Sequence, residues 1–151
     1  MNLLNKINDF NVVIFGGRDF TDYPILKMAC YNAFACFPLM NLFEEAVLIS
    51  GTARGADTLG ERFANHLGLP IRRFKPDWDK YKKRAGLIRN QEMADVAVLA
   101  IGFWDGSSTG TAHMINYCKK TETMLLVFDY KGKLVDSNVN KECIQRLSCT
   151  M

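Results

Sequence analysis

No GxxxxGK[ST] run occurs in the 151 residues, and no GxGxxG follows the first apolar run. Standard P-loop and dinucleotide Rossmann sites are therefore unsupported. Histidine is scarce, with two in the chain, and no His, Cys, Asp or Glu cluster has metal-ligand spacing. No metal site is expected. The five cysteines, at 30, 36, 118, 143 and 149, are odd in number and form no CxxC pair. That usage fits reduced thiols in a cytosol, some of them buried as small hydrophobes. Apolar runs are too short or too interrupted to span a bilayer. Residues Met1 to Lys6 lack the charged and then apolar pattern of a secretory signal. A cytoplasmic protein without a membrane partner is expected. No repeat, linker or low-complexity segment is present.

The length suits one domain over residues 1–151. A chain of this size buries about 70% of its unfolded surface, so no disulfide or metal staple is required. The net charge of +3 is mild but unevenly placed. Between Arg72 and Arg84 seven basic residues face only Asp77 and Asp79, a local excess of +5. Such a segment is either a solvated loop or a basic rim that attracts an anionic ligand or a polynucleotide.

Against these absences stand three apolar runs that each stop at small residues and then enter a helix-like segment. They are Val12–Phe15 into Gly16-Gly17-Arg18-Asp19, Val47–Ile49 into Ser50-Gly51-Thr52-Ala53-Arg54-Gly55-Ala56-Asp57, and Val96–Ile101 into Gly102 and then Asp105 to Thr111. Runs of this kind fit strands buried on both faces of a parallel sheet. Ligands of open α/β sheets bind at the carboxyl ends of the strands. Glycine admits close backbone approach there, and helix N-termini favour phosphate. Three such exits in one chain point to a nucleotide or another phosphorylated ligand.

The remaining pattern alternates helices with strands. Residues 1–10 form a short leader. Asn11–Phe15 is predicted as the first strand. Asp22 caps a helix with Pro24 in its first turn. That helix, Pro24 to Phe37, is apolar nearly all round and ends at Pro38; a helix of this kind is buried or meets another subunit, and a homodimer is expected. Ala46–Ile49 is the second strand. Ala56, Leu59, Phe63 and Leu67 share one helix face that Gly68 terminates. Ile71–Phe74, Val96–Ile101 and Met124–Phe128 are the third to fifth strands. Helices fall near Ala85–Met93 and Thr111–Lys120. Tyr130–Lys133 is a turn towards an edge strand, and a short helix is placed near Lys141–Leu147. The pattern gives an α/β doubly wound sheet with helices on both faces.

Each candidate site residue has a ligand reading and a structural one. Gly16 and Gly17 permit tight approach and Arg18 pairs with phosphate, or the three make a plain turn. Asp19 accepts ribose hydroxyls or serves the turn. Ser50, Gly51 and Thr52 offer amides and hydroxyls, and Arg54 a cation. Asp57 is a ligand group or a helix N-cap. Gly106, Ser107, Ser108, Thr109, Gly110 and Thr111 are suited to a phosphate cradle. His66 reads as structural; His113 faces the expected ligand edge. Trp78 and Tyr81, among cations, stack bases or pack on the sheet edge.

In order, GGRDF, SGTARGAD, Trp78 with Ala85-Gly86-Leu87-Ile88-Arg89-Asn90-Gln91-Glu92-Met93-Ala94-Asp95, and GSSTGTA make the chain resemble the SLOG superfamily, most of all its YspA-like, YpsA-related branch. Relatives include the LOG phosphoribohydrolases and the DNA-processing protein A family. The resemblance spans residues 11–128. It implies a Rossmann-like sheet and a nucleotide-type ligand, and with the pattern of elements the expected sheet is mainly parallel and five-stranded, in the order 3-2-1-4-5. Gly16–Asp19 would then lie beside Gly106–Thr111 at a topological switch point. LOG enzymes carry Arg-Lys-x-x-Met before the fourth strand, so the resemblance adds Arg89 and Asn90 to the site. Their PGGxGTxxE loop ends in a catalytic glutamate; here that position is Met114, and a thioether cannot serve as a general acid. YspA-like relatives usually have glycine where Lys82 stands and proline where Leu87 stands. The reading is a protein that senses or sequesters a nucleotide-derived small molecule, in the manner of family members in bacterial and phage conflict systems. The alternatives are a hydrolase of an N-glycosidic or phosphate bond and a single-stranded nucleic-acid binder.

Overall fold

The computed structural model describes residues 10–140, so the expected leader and the short helix near 141–147 lie outside the described residues, Phe10 apart. β1 is Asn11–Gly16, and its side chains alternate between two apolar layers: Val12 and Ile14 enter one, Val13 and Phe15 the other. α1, Tyr23–Ala35, starts where the Asp22 carboxylate accepts the Ile25 amide at 3.2 Å. A 3₁₀ turn at Pro38–Met40 and the short α2, Leu42–Glu45, lead to β2, Val47–Ser50. α3, Ala56–Leu67, ends at Gly68 in the left-handed conformation. β3 is Ile71–Arg73, and α4 is the single turn Trp78–Tyr81. A 3₁₀ turn at Lys82–Arg84 opens α5, Ala85–Val96. β4 (Leu99–Phe103), α6 (Thr109–Lys120), β5 (Met124–Phe128) and β6 (Leu134–Ser137) complete the described chain.

The sheet order is β3-β2-β1-β4-β5-β6. The first five strands are parallel, in the expected order. A sixth strand, β6, adds antiparallel to β5 and makes the sheet six-stranded rather than five-stranded. The hairpin that brings it back is held by Asp129, whose carboxylate accepts the amides of Lys131 and Lys133, each at 2.9 Å. β4 also starts later than the apolar run suggested. The run Val96–Ile101 is divided, with Val96 ending α5 and the ladder beginning at Leu99. Periodicity cannot separate a helix tail from a strand inside one continuous apolar run. The consequence is functional, because the β4 exit becomes Phe103, which pairs with Gly16.

Helices cover both faces. α1 and α3 pack Leu26, Cys30, Phe34 and Phe63 against Ile14, Ile101 and Phe103. α5 and α6 pack Met93, Ala94, Met114, Ile115 and Cys118 against Val13, Phe15 and Ala100. The apolar surplus on α1 that suggested a second subunit is largely taken up within the chain. Tyr31 and Phe34 each meet both Phe43 and Phe63, at ring centroids 5.3–5.5 Å apart. No single helix among the described residues is long and apolar enough to cross a membrane.

Lys82, exposed between α4 and α5, has φ 54° and ψ −129°. That backbone region is essentially a glycine region, and a side chain there costs ~1–3 kcal/mol. The glycine that relatives usually carry would relieve the strain at the cost of a floppier unfolded chain, ~0.4–1 kcal/mol. We predict that Lys82→Gly stabilises the protein by about 1 kcal/mol, raising Tm by roughly 2–4 °C. Thermal unfolding followed by circular dichroism measures it, and an unchanged or lower Tm refutes the strain.

Candidate functional site

The pairing of Gly16 with Phe103 places the β1 and β4 exits side by side, and the β2 exit flanks them on the other side of β1. Between the three exits opens a cleft of about 600 Å³. The β1 exit contributes Gly16, Gly17, Arg18 and Asp19; the β2 exit contributes Ala53, Arg54 and Asp57. α5 contributes Arg89, Asn90 and Met93; the β4 exit and the start of α6 contribute Asp105, Ser108, Thr109, Gly110 and Thr111. The floor is apolar, made by Phe15, Met93 and Met114, all nearly fully buried. The Met114 thioether is thus part of the cleft floor.

Two glycines set the close approach of these elements. A Cβ on Gly51 would lie 2.7 Å from the Asp57 carboxylate and 2.9 Å from Arg89 Nη1. A Cβ on Gly55, which has φ +75°, would lie 2.2 Å from the Gly17 carbonyl oxygen. Only glycine lets the β2–α3 loop rest on the β1 exit at that distance.

Arg89 is half-buried and fixed. Its Nη1 donates to the Gly51 carbonyl, and its Nε donates to Asn90 Oδ1 at 3.1 Å. Asn90 Nδ2 in turn donates to the Gly110 carbonyl at 3.3 Å, which ties α5 to the first turn of α6. Burial draws the Arg89 guanidinium down from its usual value, and neighbouring Asp57 opposes that. Arg18 and Arg54 are exposed and border the same cleft.

Asp57 is not a helix N-cap. Gly55 holds that position without a side-chain bond, and Asp57 lies buried in the first turn of α3 with its carboxylate accepting the Ala53 amide at 3.2 Å. Burial pushes its carboxyl up to about 6, against the pull of the Ala53 amide, Arg89 and Arg18, and with a further push from Glu61.

The loop before α6 is partly occupied by its own acid. Asp105 accepts the amides of Ser107 and Ser108 at 2.9 and 2.8 Å, and those two bonds hold its carboxyl below the usual range. Ser108 caps α6, with its hydroxyl accepting the Thr111 amide at 3.4 Å. Trp104 Nε1 braces the loop by donating to the Ser108 carbonyl at 3.1 Å. Gly106 and Ser107 do not line the cleft, whereas Thr109 and Gly110, the first two residues of α6, do.

Ser50 is also set apart from the cleft. It is fully buried; its hydroxyl donates to Glu61 at 2.6 Å and accepts the Thr52 amide at 3.1 Å. Glu61 is clasped by Arg73 at 2.7 Å, so Ser50 shapes the β2 exit. Gly51 and Thr52 border a neighbouring cavity of about 430 Å³. His113 contacts Asn90 at 3.5 Å and stacks on Tyr117, but does not line either cavity. His66 is exposed in the last turn of α3.

Two partners escaped the sequence reading. Asp105 had a local signal, since an Asp two residues before Ser107 is the Asx-turn arrangement. Tyr130 had none. Its hydroxyl donates to Asp19 Oδ1 at 2.5 Å from a residue 111 positions away, and its ring stands over Phe20 at 4.8 Å. It also blocks any Cβ at Gly17, which would come within 1.8 Å of that hydroxyl.

A model of the YspA, cpYpsA-related SLOG family matches residues 10–81. Gene 61 protein of Mycobacterium phage D29 is 31% identical over 91 residues, covering 56% of this chain and 73% of that protein. The chain belongs to the YspA, cpYpsA-related SLOG family. The SLOG fold is also that of DNA processing protein A (DprA) from Streptococcus pneumoniae, with a TM-score of 0.60 over 97% of this chain. At 14% identity that likeness is one of fold, and the SLOG chain here spans 57% of the DprA chain.

Asp57 supplies a pH test. Its folded carboxyl lies above the ordinary 3.8, so the protonated form is the favoured one; that contribution is whole below about pH 4 and is lost as pH rises through about 6. Above that pH the carboxylate also offsets Arg18 and Arg89. We predict that sulfate, which does not titrate in this range, binds more weakly at pH 7.5 than at pH 5. Asp57→Asn should flatten that profile and raise stability at pH 7.5 by about 1–3 kcal/mol, with little gain at pH 4. Calorimetry across the range checks both, and a wild-type profile independent of pH rejects the assignment.

Proposed function

We propose that this protein binds a nucleotide or nucleotide-derived phosphorylated small molecule and acts as a sensor or sequestering protein in the cytoplasm, in phage or bacterial conflict. One observation carries the reading: Arg18, Arg54 and Arg89 border a single cleft with the first residues of α6, over an apolar floor. Cations and a helix N-terminus suit phosphate. The apolar floor suits a sugar or base. The family membership and the phage relative support the setting.

Met114 on that floor disfavours phosphoribohydrolase chemistry, because no proton donor stands where the LOG reaction needs one. A second reading, binding of single-stranded nucleic acid, is favoured by the half-exposed Trp78 among Lys75, Lys80, Lys82 and Lys83.

Protein purified under native conditions and then denatured should release an intact nucleotide-type compound by mass spectrometry. Arg18→Ala should weaken binding of that compound about 10- to 150-fold, the loss of one charge-assisted contact. Because Arg18 is exposed, its Tm should hold. Arg89→Ala should lose affinity and Tm together, since Arg89 also supports Gly51 and Asn90. Release of free base from AMP, GMP, CMP or UMP by the wild type would promote the hydrolase instead.

A further inference from the structure

The cleft is one lobe of a larger space. Arg18, Ala53, Arg54 and Arg89 line both the 600 Å³ cleft and the neighbouring 430 Å³ cavity. Each lobe alone has the volume of a small-molecule site. The arginines lie where the two meet. Beyond them the second lobe is built differently from the first, from Gly51, Thr52, Lys75, Pro76 and Trp78.

Trp78 is the telling residue. The residue is 52% exposed, although an indole usually buries most of its apolar area. It does not hang on a slack loop. Asp77 caps the turn that carries it by accepting the Lys80 amide at 3.1 Å. A methyl built on Gly86 would stand 3.9 Å from Trp78 Cη2 and 3.9 Å from Arg89 Nη2, so the indole and the half-buried guanidinium flank one point at the start of α5. An aromatic plane next to a phosphate-seeking cation is a place for a base attached to that phosphate.

We propose that the ligand is a two-unit molecule, two nucleoside or sugar units joined through phosphate. The bridging phosphate sits at the shared arginines. One unit fills the lobe floored by Met93 and Met114, and the base of the other stacks on Trp78. A single mononucleotide occupies one lobe and leaves the other wet. This rests on the reading of the cleft as a nucleotide site and specifies the ligand class for it.

The test is calorimetric titration with ADP-ribose, which has a 5′–5′ pyrophosphate bridge, and linear diadenylate (pApA), which has a 3′–5′ diester, each compared with AMP. At least one two-unit probe should bind about tenfold or more tightly than AMP, and which one does so identifies the bridge. Trp78→Ala should weaken that probe about 5- to 150-fold, the contribution of one stacked base, while AMP changes by less than twofold. Trp78→Phe should keep most of the affinity, which separates stacking from damage to the fold. Two-unit probes no tighter than AMP, or an equal loss of AMP in Trp78→Ala, overturn the proposal while leaving the mononucleotide site standing. Failure of all three probes at millimolar concentration removes the nucleotide reading itself. Affinity that rises with oligonucleotide length, and is steep in salt, replaces the discrete ligand with a polynucleotide.

Discussion

The parallel pairing of β1 with β4 is the constraint on which the cleft depends. From β1 the chain crosses by α1 to β2 and then by α3 to β3 on one side of the sheet; β4 lies on the other side of β1. Loops leaving neighbouring strands in opposite directions cannot cover the gap between them. Gly16 opposite Phe103 fixes how far apart those loops start, and Gly17 reinforces the junction by donating its amide to the Phe103 carbonyl at 3.1 Å. What lines the cleft is delivered to that gap by the β1, β2 and β4 exits and by α3, α5 and α6.

Charge in the cleft is balanced before any ligand arrives. Arg89 is held near the buried Asp57, and the amides of Ser107 and Ser108 are held by Asp105. The acids of the cleft therefore meet its cations and amides within the protein itself. This arrangement offsets positive charge along the walls of the cleft. It also divides the arginines by role. Arg89 is a fixed wall that joins β2 to α5, whereas Arg18 and Arg54 stand in solvent.

Departures from the family pattern fall into two physical kinds. Met114 stands where the resemblance to LOG enzymes would put a glutamate, and its thioether suits the surrounding core, where it is 1% exposed. Lys82 stands in a backbone region made for glycine, so its effect is local strain at the junction of α4 and α5. The first concerns the chemistry of the cleft floor and the second the backbone.

The sequence by itself determined the alternation of strands and helices, the five parallel strands and the glycine-rich exits, because buried strands and amphipathic helices leave periodic signals within a few residues. It also marked most of the cleft: Gly16 to Asp19, Arg54, Asp57, Arg89, Asn90 and Ser108 to Thr111 do border it. The division of the Val96–Ile101 run was illegible, since one apolar stretch serves both a helix end and a strand. So was the difference between Ser50, whose hydroxyl is spent on Glu61, and its neighbours that reach the cavities. The contact of Tyr130 with Asp19 and the meeting of two cavities at the arginines were decided by tertiary structure alone. Side chains far apart in the chain meet only when the sheet sets their elements side by side, and no local pattern records which of them will touch.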